Sequence, residues 1–259
     1  MSDERAWRRG GSGVEGNVRT AAVWSQVRAL SESRQRELSR PLRVLDLGGG
    51  TGGLAVALAE QGHTVTVVDP SPDALASLSR RVAESDAASR ISAVQGDADT
   101  LAGTVEPGSI DLLCCHGTLE YVDDPTATLT RIAEVLAPGG HLSLVTAQRV
   151  AAVLARAIAG RFDQAKEALT SADGRWGDDD PIPRRFDRDE LAEMLTRAGF
   201  STLEARGVRL FSDLVPSAFV DSDAERAALL ELEEIAAADE GRTGLSGLGA
   251  AVHLVARRD

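Results

Sequence analysis

At 259 residues, with 43% hydrophobic and 26% charged, the chain is long enough to bury a substantial core as one large α/β domain. A formal net charge of −12 argues against binding nucleic acid over the whole surface, which needs a positive field, but leaves room for a local arginine-lined pocket. Adjacent Cys114 and Cys115 in an apolar run form neither a disulfide framework nor a metal site, and no apolar stretch approaches the roughly 18 residues of a membrane span.

Residues 1–13 are charged and glycine-rich with no apolar signal region, and are read as a disordered leader of a cytoplasmic protein. From there a single domain is expected over 14–259. An amphipathic helix is predicted from Val14 to about Arg40, with Val18, Ala21, Ala22, Val27 and Leu30 on one face and Pro41 as its stop. Strands and helices then alternate. The predicted strands are Arg43–Leu47, His63–Asp69, Ile91–Asp97, Ile110–Gly117 and His141–Ala147. The predicted helices between them are Leu54–Gln61, Pro72–Glu84 and Pro125–Leu136, the last stopped by Pro138-Gly139-Gly140. Such alternation implies a doubly wound, mostly parallel sheet, and the unbroken apolar run IDLLCC is what a strand covered on both faces requires.

The second half is less regular. Val150–Leu169 reads as one or two helices and Ser171–Pro183 as a loop rich in Asp, Gly and Pro. A helix over Asp187–Ala198, a strand over Thr202–Leu210, a helix over Ala224–Ala238 and a closing strand over Ala250–Ala256 follow, giving seven strands in all. Residues 148–185 are expected to form a helical lid over the strand ends.

The segment VLDLGGGTGG joins the first strand directly to a helix. Glycines there keep the turn tight and let backbone approach a ligand. Gly48, Gly50 and Gly53 match a dinucleotide fingerprint, which alone is a weak signal. Asp69, ending the second strand, suits ribose hydroxyls of either a nicotinamide or an S-adenosyl cofactor. The rest of the pattern separates the two. Asp46 lies two residues before Gly48, Asp97 follows the third strand in QGDAD, and LAPGGHLSL precedes the fifth. This ordered set resembles the motifs of class I S-adenosylmethionine-dependent methyltransferases and implies that cofactor and a Rossmann-like fold. In that resemblance Asp46 organises the glycine loop near the methionine moiety and Asp97 lies by the adenine.

The chain also resembles a narrower family, bacterial enzymes that methylate the carboxyl of 5-carboxymethoxyuridine at the tRNA wobble position. The matching pieces are EGNVRTAAVW, EQGHTVTVVD, HGTLEYVDDP, GRFDQA, RGVRLFSDL and LELEE, beside the glycine loop and LAPGGHLSL. The resemblance implies that Arg19 grips the methionine carboxylate, Gly48 and Gly49 present backbone, and Asp69 accepts from both ribose hydroxyls. It places His116 on the methionine side and Arg209 against the acceptor carboxylate. Where that family is lysine-rich this chain carries TSADGRWGDDDPIP, so Asp178, Asp179 and Asp180 would repel phosphates, and Arg184, Arg185 and Arg188 would have to substitute.

The expected chemistry is in-line methyl transfer to an oxygen, a carboxylate of modified tRNA or of a small carboxylic metabolite. An ionised carboxylate needs no general base; a hydroxyl acceptor would need one, with His116 or Glu120 as candidates. No metal-ligand spacing occurs. A nicotinamide oxidoreductase fits the glycine loop but not Asp46, Asp97 and the Pro-Gly-Gly turn, and a noncatalytic cofactor-binding protein is the third reading. The acceptor's identity and the oligomeric state are not encoded in any motif.

Overall fold

The computed structural model describes residues 18–83, 85–237 and 244–259, with side chains from Ala21 onward apart from that of Ser217. Helix α1 (Val18–Leu38) leads into β1 (Arg43–Leu47), α2 (Gly53–Glu60), β2 (Thr64–Asp69), α3 (Pro72–Ala83), β3 (Ile91–Gln95), the short α4 (Leu101–Thr104), β4 (Ile110–His116), α5 (Pro125–Val135) and β5 (Leu136–Ala147). Then come α6 (Arg149–Ile158), α7 (Phe162–Thr170), α8 (Arg188–Arg197), β6 (Phe200–Val208), α9 (Asp223–Ala237) and β7 (Ala251–Arg258). The seven strands form one sheet in the order β3-β2-β1-β4-β5-β7-β6. The first five are parallel, and β7 runs antiparallel between β5 and β6. The expected mostly parallel seven-stranded Rossmann-like sheet is what the chain forms.

Period-two alternation sorts the strand residues between two faces. Leu45, Leu113, Leu144 and Leu254 face a core shared with Leu129 and Ile132 of α5 and Leu191 and Leu195 of α8. Val44, Val67, Leu112 and Cys114 face the other, under Trp24 and Val27 of α1, Leu58 of α2 and Leu78 of α3. Because both faces are covered, β4 is buried almost throughout, whereas β3, at the sheet edge, is largely exposed.

The α5–β5 junction differs from expectation for a physical reason. Leu136 turns extended and pairs with Ile110, so α5 ends at Val135 and β5 begins five residues before His141. The Pro138-Gly139-Gly140 segment is therefore a bulge within the ladder, where the register slips between Ile110 and Leu112. Residues 14–17 and Glu84, assigned to helices from sequence, lie outside the described residues, as does the 1–13 leader. The Val150–Leu169 segment forms two helices, broken at Gly160. No helix among the described residues is long and apolar enough to cross a membrane.

Beneath the sheet a single ion pair ties the entry of β1 to β4. The guanidinium of Arg40 donates to both oxygens of buried Asp111 at 2.7 and 2.8 Å, and the Arg43 backbone N–H adds a third bond at 2.8 Å. Burial alone would raise the Asp111 pKa, but the Arg40 bond, the Arg43 N–H and the two positive charges outweigh it and hold the carboxyl below its ordinary range. Asp111→Asn should therefore cost about 1–3 kcal/mol at neutral pH, read from urea unfolding. A carboxyl with a depressed folded-state pKa stabilises the fold above its unfolded value and loses that contribution as pH falls through the folded one. The gap between wild type and variant should accordingly close below about pH 4.

Candidate functional site

The parallel sheet reverses its winding direction between β1 and β4, and ligands of such sheets sit beyond the carboxyl ends of the strands at that point. A cavity of about 240 Å³ opens there, lined by Gly48 of the loop after β1, Asp97 and Ala98 after β3, and Thr118, Tyr121 and Val122 after β4. Gly48 takes a φ of 73°, and a Cβ on it would lie 2.0 Å from Thr118 Oγ1, so the loop and the β4 turn meet without room for a side chain. Thr118 donates to Leu47 O at 3.1 Å and locks that contact.

The loop rests on two carboxyls. A Cβ on Gly49 would approach Asp46 Oδ2 to 2.5 Å, so Asp46 lies directly beneath the loop. That oxygen is buried and has no hydrogen-bond partner, and burial, aided by the nearby charge of Asp69, pushes the Asp46 pKa up to about 7. Asp69 flanks the loop, taking the Gly50 N–H on Oδ2 at 2.8 Å and the Ser71 N–H on Oδ1 at 2.9 Å. Each oxygen of an ionised carboxylate has a further lone pair, which leaves Asp69 acceptors for a vicinal diol. Asp97 caps the turn Ala98–Thr100 through a capping box and borders the cavity. The donor set fits a nucleoside cofactor.

His116 ends β4 on the α1 face, and its Nε2 bonds Ser143 Oγ at 2.8 Å. Burial pushes its pKa down to about 4, so the imidazole is neutral at physiological pH. Arg19 belongs to the backbone of α1, but its side chain lies outside the described residues.

A second cavity, of about 300 Å³, lies over the end of β5, walled by Ala147 and Gln148, by Ala151 and Ala155 of α6, and by Trp176, Arg209 and Leu210. Arg156 stacks on the Trp176 ring at 3.9 Å. Arg209 holds a φ of 57°, an unusual backbone for a residue with a Cβ, and its guanidinium meets Asp213 only at 3.6 Å. The next three residues explain how that turn is held. Buried Glu233 of α9 accepts the backbone N–H groups of Leu210, Phe211 and Ser212 at 2.7–2.9 Å, and the Ser212 hydroxyl at 2.5 Å. Glu120 sits beneath Ala147, whose N–H it accepts at 2.6 Å, with Oε2 buried and unpartnered; burial raises its pKa against the opposing pull of that N–H, Arg209 and Arg185.

The expectation for the acidic run is corrected here. Asp180 is buried and pairs with buried Arg185 at 2.5 and 3.0 Å, while also accepting the Trp176 and Ile182 N–H groups. The pair pins the loop shut, so Asp180 is withdrawn from surface repulsion and Arg185 from phosphate binding. Arg184 donates to Val122 O at 2.9 Å, and Arg188 stands exposed at the start of α8. Sequence reading assigned no role to Thr118, Glu233 or Trp176, although HGTLEYVDDP and LELEE contain the first two. The signal for Trp176 was absent, because only the folded loop brings it to the cavity.

The model of the Methyltransferase domain family matches residues 23–205. The chain belongs to that family. It is 30% identical over 246 residues to the tRNA 5-carboxymethoxyuridine methyltransferase of Escherichia coli K12, covering 95% of this chain and 90% of the relative. Over 118 residues it is 38% identical to a ubiquinone biosynthesis O-methyltransferase of Xanthomonas campestris pv. campestris, a stretch that spans 46% of this chain and 48% of that one. In fold it matches an S-adenosylmethionine-dependent methyltransferase from Mesorhizobium loti at 23% identity and a TM-score of 0.60, over 95% of this chain and 100% of that one. The methyltransferase takes S-adenosylmethionine as its methyl donor, and the nicotinamide reading is set aside.

An aspartate with a raised folded-state pKa stabilises the fold while protonated, and that contribution is lost as pH rises through the folded value. The cofactor-free methyltransferase should lose stability progressively as pH rises from about 4, the ordinary carboxyl value, to about 7, the value reached by Asp46, and the loss should level off above that. Asp46→Asn should flatten that loss in urea midpoints followed between about pH 4 and 8. Separately, Asp69→Ala should weaken S-adenosylhomocysteine binding by about 1–3 kcal/mol in calorimetry.

Proposed function

We propose that this methyltransferase esterifies a carboxylate, with the acceptor in the cavity over β5 and the donor in the crevice between β1 and β4. The observation that carries the reading is Arg209: a guanidinium at a cavity wall, presented by a turn that Glu233 holds through four hydrogen bonds, and paired only loosely with Asp213. A planar guanidinium matches a carboxylate in two prongs, and exchange of Asp213 for the acceptor lets it do so. When bound, the cofactor supplies an electrophilic sulfonium methyl group. The chain's part is to bind, align and exclude water. Arg209 orients the acceptor, and alanine and leucine side chains form the apolar part of the wall beside it. A carboxylate is ionised at neutral pH, so no residue need remove a proton. Esterification cancels the charge that Arg209 recognises, which favours product release.

In the donor crevice, Gly48 and Gly49 present backbone, Asp69 takes the ribose hydroxyls, Asp97 lies toward the adenine, and Asp46 braces the loop. Arg19 on α1 meets the methionine carboxylate and His116 lines the same end. The segment 148–185, with α6, α7 and the pinned loop, serves as the lid of the acceptor cavity.

The 5-carboxymethoxyuridine of tRNA is the acceptor best supported, because likeness to the E. coli tRNA enzyme spans 95% of the chain. A small carboxylic metabolite is the second reading, favoured by the net charge of −12 and by the sequestration of Arg185 against Asp180. Nucleoside mass spectrometry of tRNA from a deletion strain decides between them: loss of the carboxymethoxyuridine methyl ester supports the first, unchanged levels reject it. Arg209→Lys should cut turnover about 10- to 100-fold, the loss of one charge-assisted contact, with cofactor affinity nearly unchanged. Equal turnover by the variant would remove Arg209 from acceptor recognition.

A further inference from the structure

On the α1 face of the sheet, two adjacent register rows carry polar groups where the surroundings are apolar. His116 of β4, Val145 of β5 and His253 of β7 stand side by side in one row. One step back along the same face, Cys114, Ser143 and Val255 form the next. Ser143, fully buried, reaches both imidazoles of the neighbouring row: its Oγ lies 2.8 Å from His116 Nε2 and 2.7 Å from His253 Nε2. The two rings meet edge-on, with centroids 5.8 Å apart. The other nitrogen of His253, Nδ1, bonds Oε1 of Gln26, which descends from α1. Four side chains from α1, β7, β5 and β4 thus make one continuous chain of hydrogen bonds.

Burial keeps both histidines neutral, with pKa values pushed down to about 4 for His116 and about 3 for His253, the latter lowered further by His116 and Arg206. Each imidazole therefore has one N–H and one bare nitrogen. With the Gln26 oxygen facing Nδ1 of His253, that nitrogen carries the proton and Nε2 accepts. Ser143 must then donate its hydroxyl to His253 and accept from His116. This leaves the proton of His116 on Nε2 and its Nδ1 bare. Turning the Gln26 amide over would reverse every donor in the series and place the proton on Nδ1.

We propose that Gln26, His253 and Ser143 are positioning residues that fix the tautomer of His116, so that His116 offers Nδ1 as an acceptor at the end of β4. The inference rests on the reading that His116 lines the methionine end of the donor crevice. An acceptor there suits the cofactor's ammonium group and disfavours its carboxylate, so the tautomer selects which of the two groups turns toward β4. The same chain joins α1, the helix that carries Arg19, to the strand that ends at the site. Seating of α1 and the hydrogen-bonding character of His116 are then one event, because Gln26 sets the direction of the series only when it is docked.

The chain has four histidines, so nitrogen NMR of histidine-labelled full-length protein can resolve each ring. His116 is identified by the signal missing in His116→Gln. In wild type, His116 should show a pyrrole-like Nε2 and a pyridine-like Nδ1; the opposite pattern overturns the proposal. Ser143→Ala, a small change at a packed position, should leave the fold intact by circular dichroism and give a mixed or reversed His116 pattern. Gln26→Met should do the same from α1. An unchanged His116 pattern in both variants would mean that the chain does not set the tautomer. In Ser143→Ala the Kd for S-adenosylhomocysteine should rise about tenfold, the loss of one hydrogen bond's selectivity, with a smaller change in kcat at saturating cofactor. Addition of S-adenosylhomocysteine to wild type tests the underlying reading apart from the inference. A shift at His116 supports its place at the crevice, and no shift removes it from the site whatever its tautomer.

Discussion

The structure depends on one close approach. The turn after β1 must pass within hydrogen-bond distance of the end of β2 and lie flat on Asp46 of β1. Asp69 receives the Gly50 N–H from the side, and Asp46 fills the space below Gly49 so tightly that any side chain there would strike its carboxyl. Asp46, buried without a hydrogen-bond donor on Oδ2 and beside the charge of Asp69, is pushed toward neutrality. The glycine turn is thereby braced from the side by Asp69, from below by Asp46 and across the crevice by Thr118.

The two faces of the sheet solve different problems. The face toward α5 and α8 is an apolar core in the usual sense. The face toward α1 is apolar at its base, with Val44, Leu112 and Cys114, and polar at the carboxyl edge, with Asp46, His116, Ser143 and His253. A buried polar group without a partner costs free energy of the order of 1–3 kcal/mol. Ser143 and Gln26 pair with the two histidines and so tie α1 to the sheet by direction as well as by area, whereas Asp46 keeps Oδ2 unpartnered and is pushed toward its neutral form. The antiparallel β7 is what makes this feasible, since it returns His253 to the same edge at which β4 ends.

The cavity over the end of β5 is assembled from parts distant in sequence. Arg209 is presented by a left-handed residue after β6; the turn that follows is held by a carboxylate on α9, and the opposite wall is fixed by the Asp180–Arg185 pair in the loop before α8. Trp176 and Arg156 stack across that wall. The wall of this cavity comes largely from α6 and loops, whereas the crevice between β1 and β4 is built on strand ends and the glycine turn. Relatives sharing the methyltransferase domain act, by their names, on a tRNA nucleoside and in ubiquinone biosynthesis.

Local chemistry was enough to read the sheet, its winding and the tight glycine turn after β1. Hydrophobic alternation marks β1 to β5, the apolar run of β4 announces a strand covered on both faces, and glycine after a strand announces a turn with no space for a Cβ. All of these are properties of residues close in sequence. Tertiary structure alone decided which charges are available. Asp180 and Arg185, five residues apart, cancel inside the loop although their neighbours Asp179 and Arg184 do not join them. Pro138-Gly139-Gly140 stopped no helix, because Leu136 found a strand partner in Ile110 before the turn residues were reached. The Gln26–His253–Ser143–His116 series crosses 227 residues of sequence between its first two members, and a hydrogen bond leaves no periodicity for a pattern to reveal. Covalent spacing dictates which face a side chain takes; whether that side chain finds a partner depends on what the rest of the chain delivers to the same few ångströms.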